Sequence, residues 1–291
     1  MTLVIGINCP EGIALVSDRK LTDIENPENA IYEDKINLLP NTQVGFVASG
    51  ITDLFRQFYR RIGILIDQRQ RETRIKNEVE LRKVGRTLRD YEVQIELPET
   101  IQGKEDVKKE KQEAKPREDY IQPPYIYTGE HFIGDCKALM EEIGAEGSKF
   151  ASNPLDLLVA FNTGIPSLFH INSQGYERQI DKYIAIGSGS PFVKKFFDRL
   201  WKPDGSLDQA ILTAVFVIKY VEHLKTDPFV GCREIDDFPQ IIVFLKDGRY
   251  GNYGFEEKEE LLKGIKKKTG EFEKLIFSLA EQDKSPISSQ G

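Results

Sequence analysis

The chain has 291 residues, 40% hydrophobic and 30% charged, with a formal net charge of −7. That length fits one large domain or two small ones, and the acidic balance argues against a general nucleic-acid binder. No apolar stretch approaches the roughly 18 residues that a membrane span needs, and no basic segment followed by an apolar one marks a secretion signal, so a cytoplasmic protein is expected.

The chain opens Met1-Thr2 and runs into Leu3-Val4-Ile5-Gly6-Ile7. Once Met1 is removed, Thr2 carries a free α-amine beside its hydroxyl, a nucleophile and a candidate base in one residue. Such an amine titrates at about pH 8 and can accept a proton at cellular pH. The Thr and N-terminal amine pair is a known form of activated nucleophile. Taken alone, a Met-Thr start is also how an ordinary first strand begins.

The first fifty residues read as β structure. Leu3–Ile7 and Ile13–Val16 flank the turn Cys9-Pro10-Glu11-Gly12 and predict a hairpin. A polar loop follows, then a short strand over Lys35–Leu39, a turn at Pro40-Asn41 and a strand over Val44–Ala48. Gly50 ends the strands. Leu54, Phe55, Phe58, Tyr59, Ile62, Leu65 and Ile66 then fall at helical spacing, and the helical pattern weakens towards Tyr91. From Gln94 to Tyr127 it fails: Lys and Glu alternate through Lys104–Lys115, and Pro116, Pro123 and Pro124 follow, as in a solvated insertion.

A helix returns near Phe132–Ile143. Leu155–Phe161, Ser167–Ile171 and Tyr176–Ile180 predict three strands, and Ile184–Ile186 leads into Gly187-Ser188-Gly189-Ser190-Pro191. Helices are predicted at Phe192–Trp201 and Leu207–Leu224, a last strand at Ile241–Leu245, and a charged helix over Glu256–Leu279 before the polar tail Ser285–Gly291. Continuous apolar strands suggest burial on both faces. The expected fold is α+β, a four-layer αββα sandwich of two sheets with helices outside, which suits this order better than an alternating βαβ chain. Residues 1–254 form the expected domain, interrupted by an insertion at about 70–128, with 255–291 as C-terminal helix and tail.

Cys9, Cys136 and Cys232 form no CxxC pair, so neither a zinc site nor a disulfide framework is indicated. His131, His170 and His223 are scattered, nothing nominates a Ser-His-Asp triad, and His170 reads as a strand residue. No metal or cofactor is expected.

Several stretches together resemble a proteasome β-type subunit of the N-terminal-nucleophile (Ntn) hydrolases. They are Thr2 at the start of the first strand, Gly12–Lys20 with its Asp18-Arg19 pair, Asp34-Lys35-Ile36, Val44–Gly50, Ala185–Gly189, and Leu207–Asp227. The resemblance covers about residues 2–65 and 130–250. It implies a threonine peptidase: Thr2 Oγ attacks a peptide carbonyl and its own amine relays the proton. Lys35 stabilises the developing charge, Asp18 pairs with and orients Lys35, the Gly50 N–H holds the oxyanion, and Ser188 and Asp227 act near the Thr2 amine. Leu21, Glu33, Asn37 and Ala48 are implied to line the substrate pocket.

Two departures stand out. Val230 occupies the place where the family carries a serine, and the insertion follows the first long helix, where ring subunits have a short turn. The same acyl-Thr2 intermediate also serves a peptide ligase or transpeptidase, in which a second peptide's amine resolves it. A third reading is a non-catalytic structural subunit. The implied partners are a peptide or protein substrate and either a second copy of the chain or a partner protein bound through 70–128. No nucleic acid or membrane is expected.

Overall fold

The computed structural model describes residues 3–22, 30–39, 42–83, 128–149, 154–223, 230–232 and 238–253. All but Tyr253 belong to one compact unit, Met1–Asn252, and Tyr253–Gly291 form a second. The Pro40-Asn41 turn, residues 84–127 of the expected insertion, and the expected Glu256–Leu279 helix and its tail lie outside the described residues.

The N-terminal hairpin is β1 (Leu3–Cys9) and β2 (Gly12–Ser17), closed by the turn at Pro10-Glu11. The expected polar loop contains a second, small hairpin, β3 (Lys20–Thr22) and β4 (Ala30–Tyr32). The strand expected over Lys35–Leu39 is reduced to β5 (Asn37–Leu38). β6 (Val44–Gly50) leads into α1 (Thr52–Lys83), and α2 (Gly129–Gly147) follows. Thr128 caps α2 in a capping box, its hydroxyl accepting from the His131 N–H while the imidazole accepts from the Thr128 N–H. Three strands come next: β7 (Leu155–Asn162), β8 (Pro166–Asn172) and β9 (Glu177–Gln179). The remaining elements are β10 (Tyr183–Gly187), α3 (Ser190–Leu200), α4 (Leu207–His223), β11 (Gln240–Leu245) and β12 (Tyr250–Asn252). β12 extends the chain's β structure past the strand expected to be last. It is short and carries Gly251, a weak strand signal.

The strands form two five-stranded sheets, ordered β10-β1-β2-β11-β12 and β5-β6-β7-β8-β9, with β3-β4 apart. Every pairing is antiparallel. Alternation along β6 and β7 explains the apolar runs. Val47, Leu158 and Ala160 join Leu168 and the first sheet's Val4, Leu15, Ile242 and Phe244 in one buried cluster. Phe46, Ala48, Leu157 and Val159 turn the other way, into a cluster with Leu54, Phe58 and Ile62 of α1 and Phe132, Cys136 and Met140 of α2. β6 and β7 are therefore buried on both faces, and neither face can carry the polar half of an alternating pattern. α3 and α4 pack against the first sheet, on β1, β2 and β10. At one end Asn162 Nδ2 donates to the Leu245 carbonyl at 2.6 Å and ties the sheets together. Among the described residues no helix is long and apolar enough to cross a membrane.

Phe58 is fully buried, its ring edge-on to Phe46 with centroids 6.1 Å apart. Phe58→Ala is expected to cost about 3–5 kcal/mol of stability, measured by denaturant unfolding with an unchanged m-value.

Candidate active site

The carboxylate of Asp18, directly after β2, is the centre of the site. Its main-chain N–H donates to the Leu3 carbonyl at 3.1 Å, one step past the β1–β2 ladder. Its side chain is completely buried. Oδ1 accepts from the Leu3 N–H at 2.8 Å and from Lys35 Nζ at 2.8 Å. Oδ2 accepts from the Lys20 and Gly231 N–H groups, each at 3.2 Å. Four donors from four separate segments thus meet one carboxylate.

Lys35 is only 4% exposed, and its ammonium also donates to the Lys20 carbonyl at 2.6 Å. Burial pushes the amine below the usual lysine range, and the Asp18 carboxylate opposes that shift. Its main chain is held by Gln240 at the start of β11. Gln240 Oε1 accepts from the Lys35 N–H at 2.7 Å and the Ile36 N–H at 2.6 Å, and Nε2 donates to the Ile36 carbonyl at 2.9 Å. Gln240 is 205 residues from Lys35, and nothing in its sequence context advertised a role.

Residues 230–232 close the site from another side. The Gly231 carbonyl accepts from the Arg19 and Lys20 N–H groups at 3.1 and 3.0 Å. Glu222 of α4 accepts from the Cys232 N–H at 2.8 Å. Arg19 joins the same corner: Nε donates to the Phe238 carbonyl at 2.9 Å and Nη1 pairs with Asp34 at 2.9 Å.

The Gly-Ser-Gly loop follows β10, whose ladder with β1 ends on the pair Leu3 and Gly187. A methyl group at Gly189 would lie 2.9 Å from Leu3 Cδ2 and 3.2 Å from Val230 Cγ2, so loop, first strand and Val230 are in close approach. Val230 is 3% exposed and packs here as an apolar residue where the family pattern places a hydroxyl. The Ser188 hydroxyl oxygen is buried and has no hydrogen-bond partner among the described residues. A buried, orphaned hydroxyl is costly unless a further group meets it.

Gly50 is the last residue of β6, and α1 begins two residues later at Thr52 rather than at Gly50. Its φ of 148° and the 2.2 Å that would separate a Cβ from the Pro154 carbonyl oxygen demand glycine on structural grounds alone. Of the expected pocket residues, Leu21 pairs with Ile31 in the small hairpin, and the adjoining Glu33 N–H donates to the Arg19 carbonyl at 3.0 Å. Asn37 Nδ2 donates to the Lys35 carbonyl at 2.9 Å. These three lie along the segments that hold Lys35. Ala48 is buried in the cluster beneath α1. Thr2 and Asp227 lie outside the described residues.

His170 is a residue of β8, as expected, with Nε2 2.8 Å from Asp156 Oδ1. The three cysteines are buried free thiols, and burial, aided by Glu11, pushes Cys9 up to about 12. Among the described residues no group of three or more His, Cys, Asp or Glu side chains is placed to hold a metal ion.

The proteasome-subunit family model matches residues 149–229, the stretch that carries Ser188 and Asp227. No curated protein matches the chain significantly. Among solved structures, the Gly-1 mutant of Anbu from Hyphomicrobium sp. strain MC1 superposes with a TM-score of 0.59 at 12% identity, over 96% of this chain and 97% of that one. Anbu from Yersinia bercovieri, described as an ancestral β-subunit, superposes with a TM-score of 0.57 at 14% identity, over 95% and 97%. Over residues 149–229 the chain is similar to proteasome subunits. At these identities the superpositions speak for the fold alone, and the described residues of this chain are mixed α+β.

The lowered Lys35 amine has a thermodynamic consequence. Between its folded pKa and the usual lysine value of 10.5 the unfolded chain binds the extra proton, so the Lys35 contribution to stability rises with pH across that window. Denaturant unfolding of wild type and Lys35→Met as a function of pH is expected to show wild type gaining relative to the variant as pH climbs towards 10.5. A constant difference contradicts the burial effect.

Proposed function

We propose that this chain is an N-terminal threonine peptidase, with Thr2 as the nucleophile once Met1 is removed. The single observation that carries this reading is the buried Asp18 carboxylate, whose Oδ1 accepts both the N–H of the residue after Thr2 and the Lys35 ammonium. One oxygen thereby ties the start of the first strand to the one buried cation that the family's chemistry requires.

Two further features support it. The β1–β10 register ends at Leu3 and Gly187, and the next pair in sequence is Thr2 and Ser188. The Ser188 hydroxyl, buried and without a partner among the described residues, is available to accept a hydrogen bond from the proposed amine. The two sheets and their flanking helices are read as the four-layer αββα sandwich of the Ntn hydrolases. The hydrolase domain spans residues 1–254 with 70–128 inserted, and its partner is either a second copy of the chain or another protein bound through 70–128.

In the proposed reaction Thr2 Oγ bonds to the scissile carbonyl carbon and its proton passes to the Thr2 amine. The carbonyl oxygen gains charge against the Gly50 N–H, as oxyanion donors require. Lys35, held by Asp18, stabilises the developing charge at Oγ. Collapse breaks the C–N bond, and the amine's proton goes to the leaving amine. Water then attacks the Thr2 ester, releases the acid and restores the hydroxyl. Asp227 orients the amine, and Leu21, Glu33, Asn37 and Ala48 shape the substrate side.

Intact mass before and after treatment with a hydroxyl-directed β-lactone tests the reading. The expected result is a chain lacking Met1 that gains one equivalent of inhibitor, with no gain in Thr2→Ala. A chain that retains Met1, or a Thr2→Ala variant acylated like wild type, would sink the peptidase and leave a non-catalytic subunit.

A further inference from the structure

β5 begins at Asn37, so the main chain of Lys35 and Ile36 lies outside strand pairing. Both residues are nonetheless buried, at 4% and 5% exposure. Buried amide and carbonyl groups require partners, and the Gln240 side chain supplies three of them, accepting from both N–H groups and donating to the Ile36 carbonyl. The pattern fits one orientation of the amide: the oxygen faces two donors and the nitrogen faces an acceptor. Gln240 is itself 5% exposed. In the β2–β11 ladder it is the partner of Ser17, the residue before Asp18. The strand that ends at the carboxylate and the side chain that holds the lysine's main chain are thus locked together.

We infer that Gln240 is a positioning residue that stands in for a strand partner and holds the Lys35 amine on Asp18. Its kinetic consequence rests on the proposed role of Lys35, whereas its structural consequence does not. A long flexible side chain such as lysine reaches its target reproducibly only when its own backbone is fixed. Asn37 Nδ2, on the Lys35 carbonyl, adds a further tether. Shortening Gln240 to Asn keeps the amide chemistry and withdraws it by one carbon, so it removes the register while leaving polarity and charge unchanged.

The test uses two readouts on the full chain. The first is reductive methylation with formaldehyde, read by mass spectrometry at Lys35. Wild-type Lys35 is expected to resist labelling, and Gln240→Asn is expected to label at least about tenfold faster through a raised local opening. The control is Phe244→Leu, a buried substitution elsewhere on β11, compared at the same interval below its own unfolding midpoint. It is expected to leave Lys35 protected.

The second readout is Thr2 acylation by the β-lactone. Gln240→Asn is expected to lower the saturating acylation rate by roughly 100-fold, as a misplacement of about 1 Å does, and to leave the half-saturating inhibitor concentration unchanged. Equal labelling of Lys35 in Gln240→Asn and Phe244→Leu, an unlabelled Lys35 in Gln240→Asn, or wild-type acylation in that variant overturns the inference. If Gln240→Asn fails to fold, Gln240→Glu takes its place, since it keeps the acceptor and loses the donor to Ile36, and the same outcomes apply. A wild-type chain that never acylates removes the peptidase reading, and the Lys35 labelling still decides the role of Gln240.

Discussion

A single buried carboxylate organises this protein's functional end. Asp18 has no access to water, and among the described residues four donors meet it and offset the cost of burying its charge. The same constraint runs backwards. Lys35 is nearly as deeply buried, burial lowers its pKa, and the Asp18 carboxylate is the largest influence opposing that shift. Neither residue can be placed alone, and the segments that carry them are locked with them. β1, the Asp18–Lys20 corner, the Lys35 segment and residues 230–232 are held in one mutual geometry by two oxygens.

The rest of the fold serves that geometry. β1 and β2 form a ladder whose last step is the Asp18 N–H on the Leu3 carbonyl. β11 pairs with β2 and brings Gln240 beneath Lys35. α4 fixes the Cys232 amide through Glu222. β10 delivers the Gly-Ser-Gly loop against Leu3 and Val230. A close-packed interior transmits such placements with little slack, which is why residues more than 200 positions apart share one site. Val230 fits this picture as a packing residue. It contributes apolar contact at Gly189 and no hydrogen bond to the amine that the family pattern would place nearby.

Much of the fold was legible in the sequence because its signals are local. The hairpin at Pro10-Glu11, the helical spacing of Leu54, Phe58 and Ile62, and the unbroken run Leu155–Phe161 each report their own burial. The structure falls short of expectation where burial and pairing part company. Lys35-Ile36 reads as strand because it is buried, yet its partner is a side chain from β11, which no local pattern encodes. β3 and β4 were hidden in a polar loop because strands of three residues are too short to show an alternating pattern. Within the site, Asp18 and Lys35 were nominated through family resemblance, and their side chains form a buried ion pair. Gly50 is glycine for backbone reasons whatever else it does. Gln240 and Gly231 meet their partners more than 200 residues away in sequence and left no pattern to read.

The central claim is that Asp18 and Lys35 form one energetic unit on which the site depends. A double-mutant cycle with Asp18→Asn and Lys35→Met, followed by denaturant unfolding, measures it most directly. Each single variant leaves a buried partner uncompensated, whereas the double variant removes both charges. The predicted result is a coupling energy of about 2–3 kcal/mol, with the double variant more stable than the sum of the single losses allows. Additivity within about 0.5 kcal/mol would show two independent residues and contradict the account.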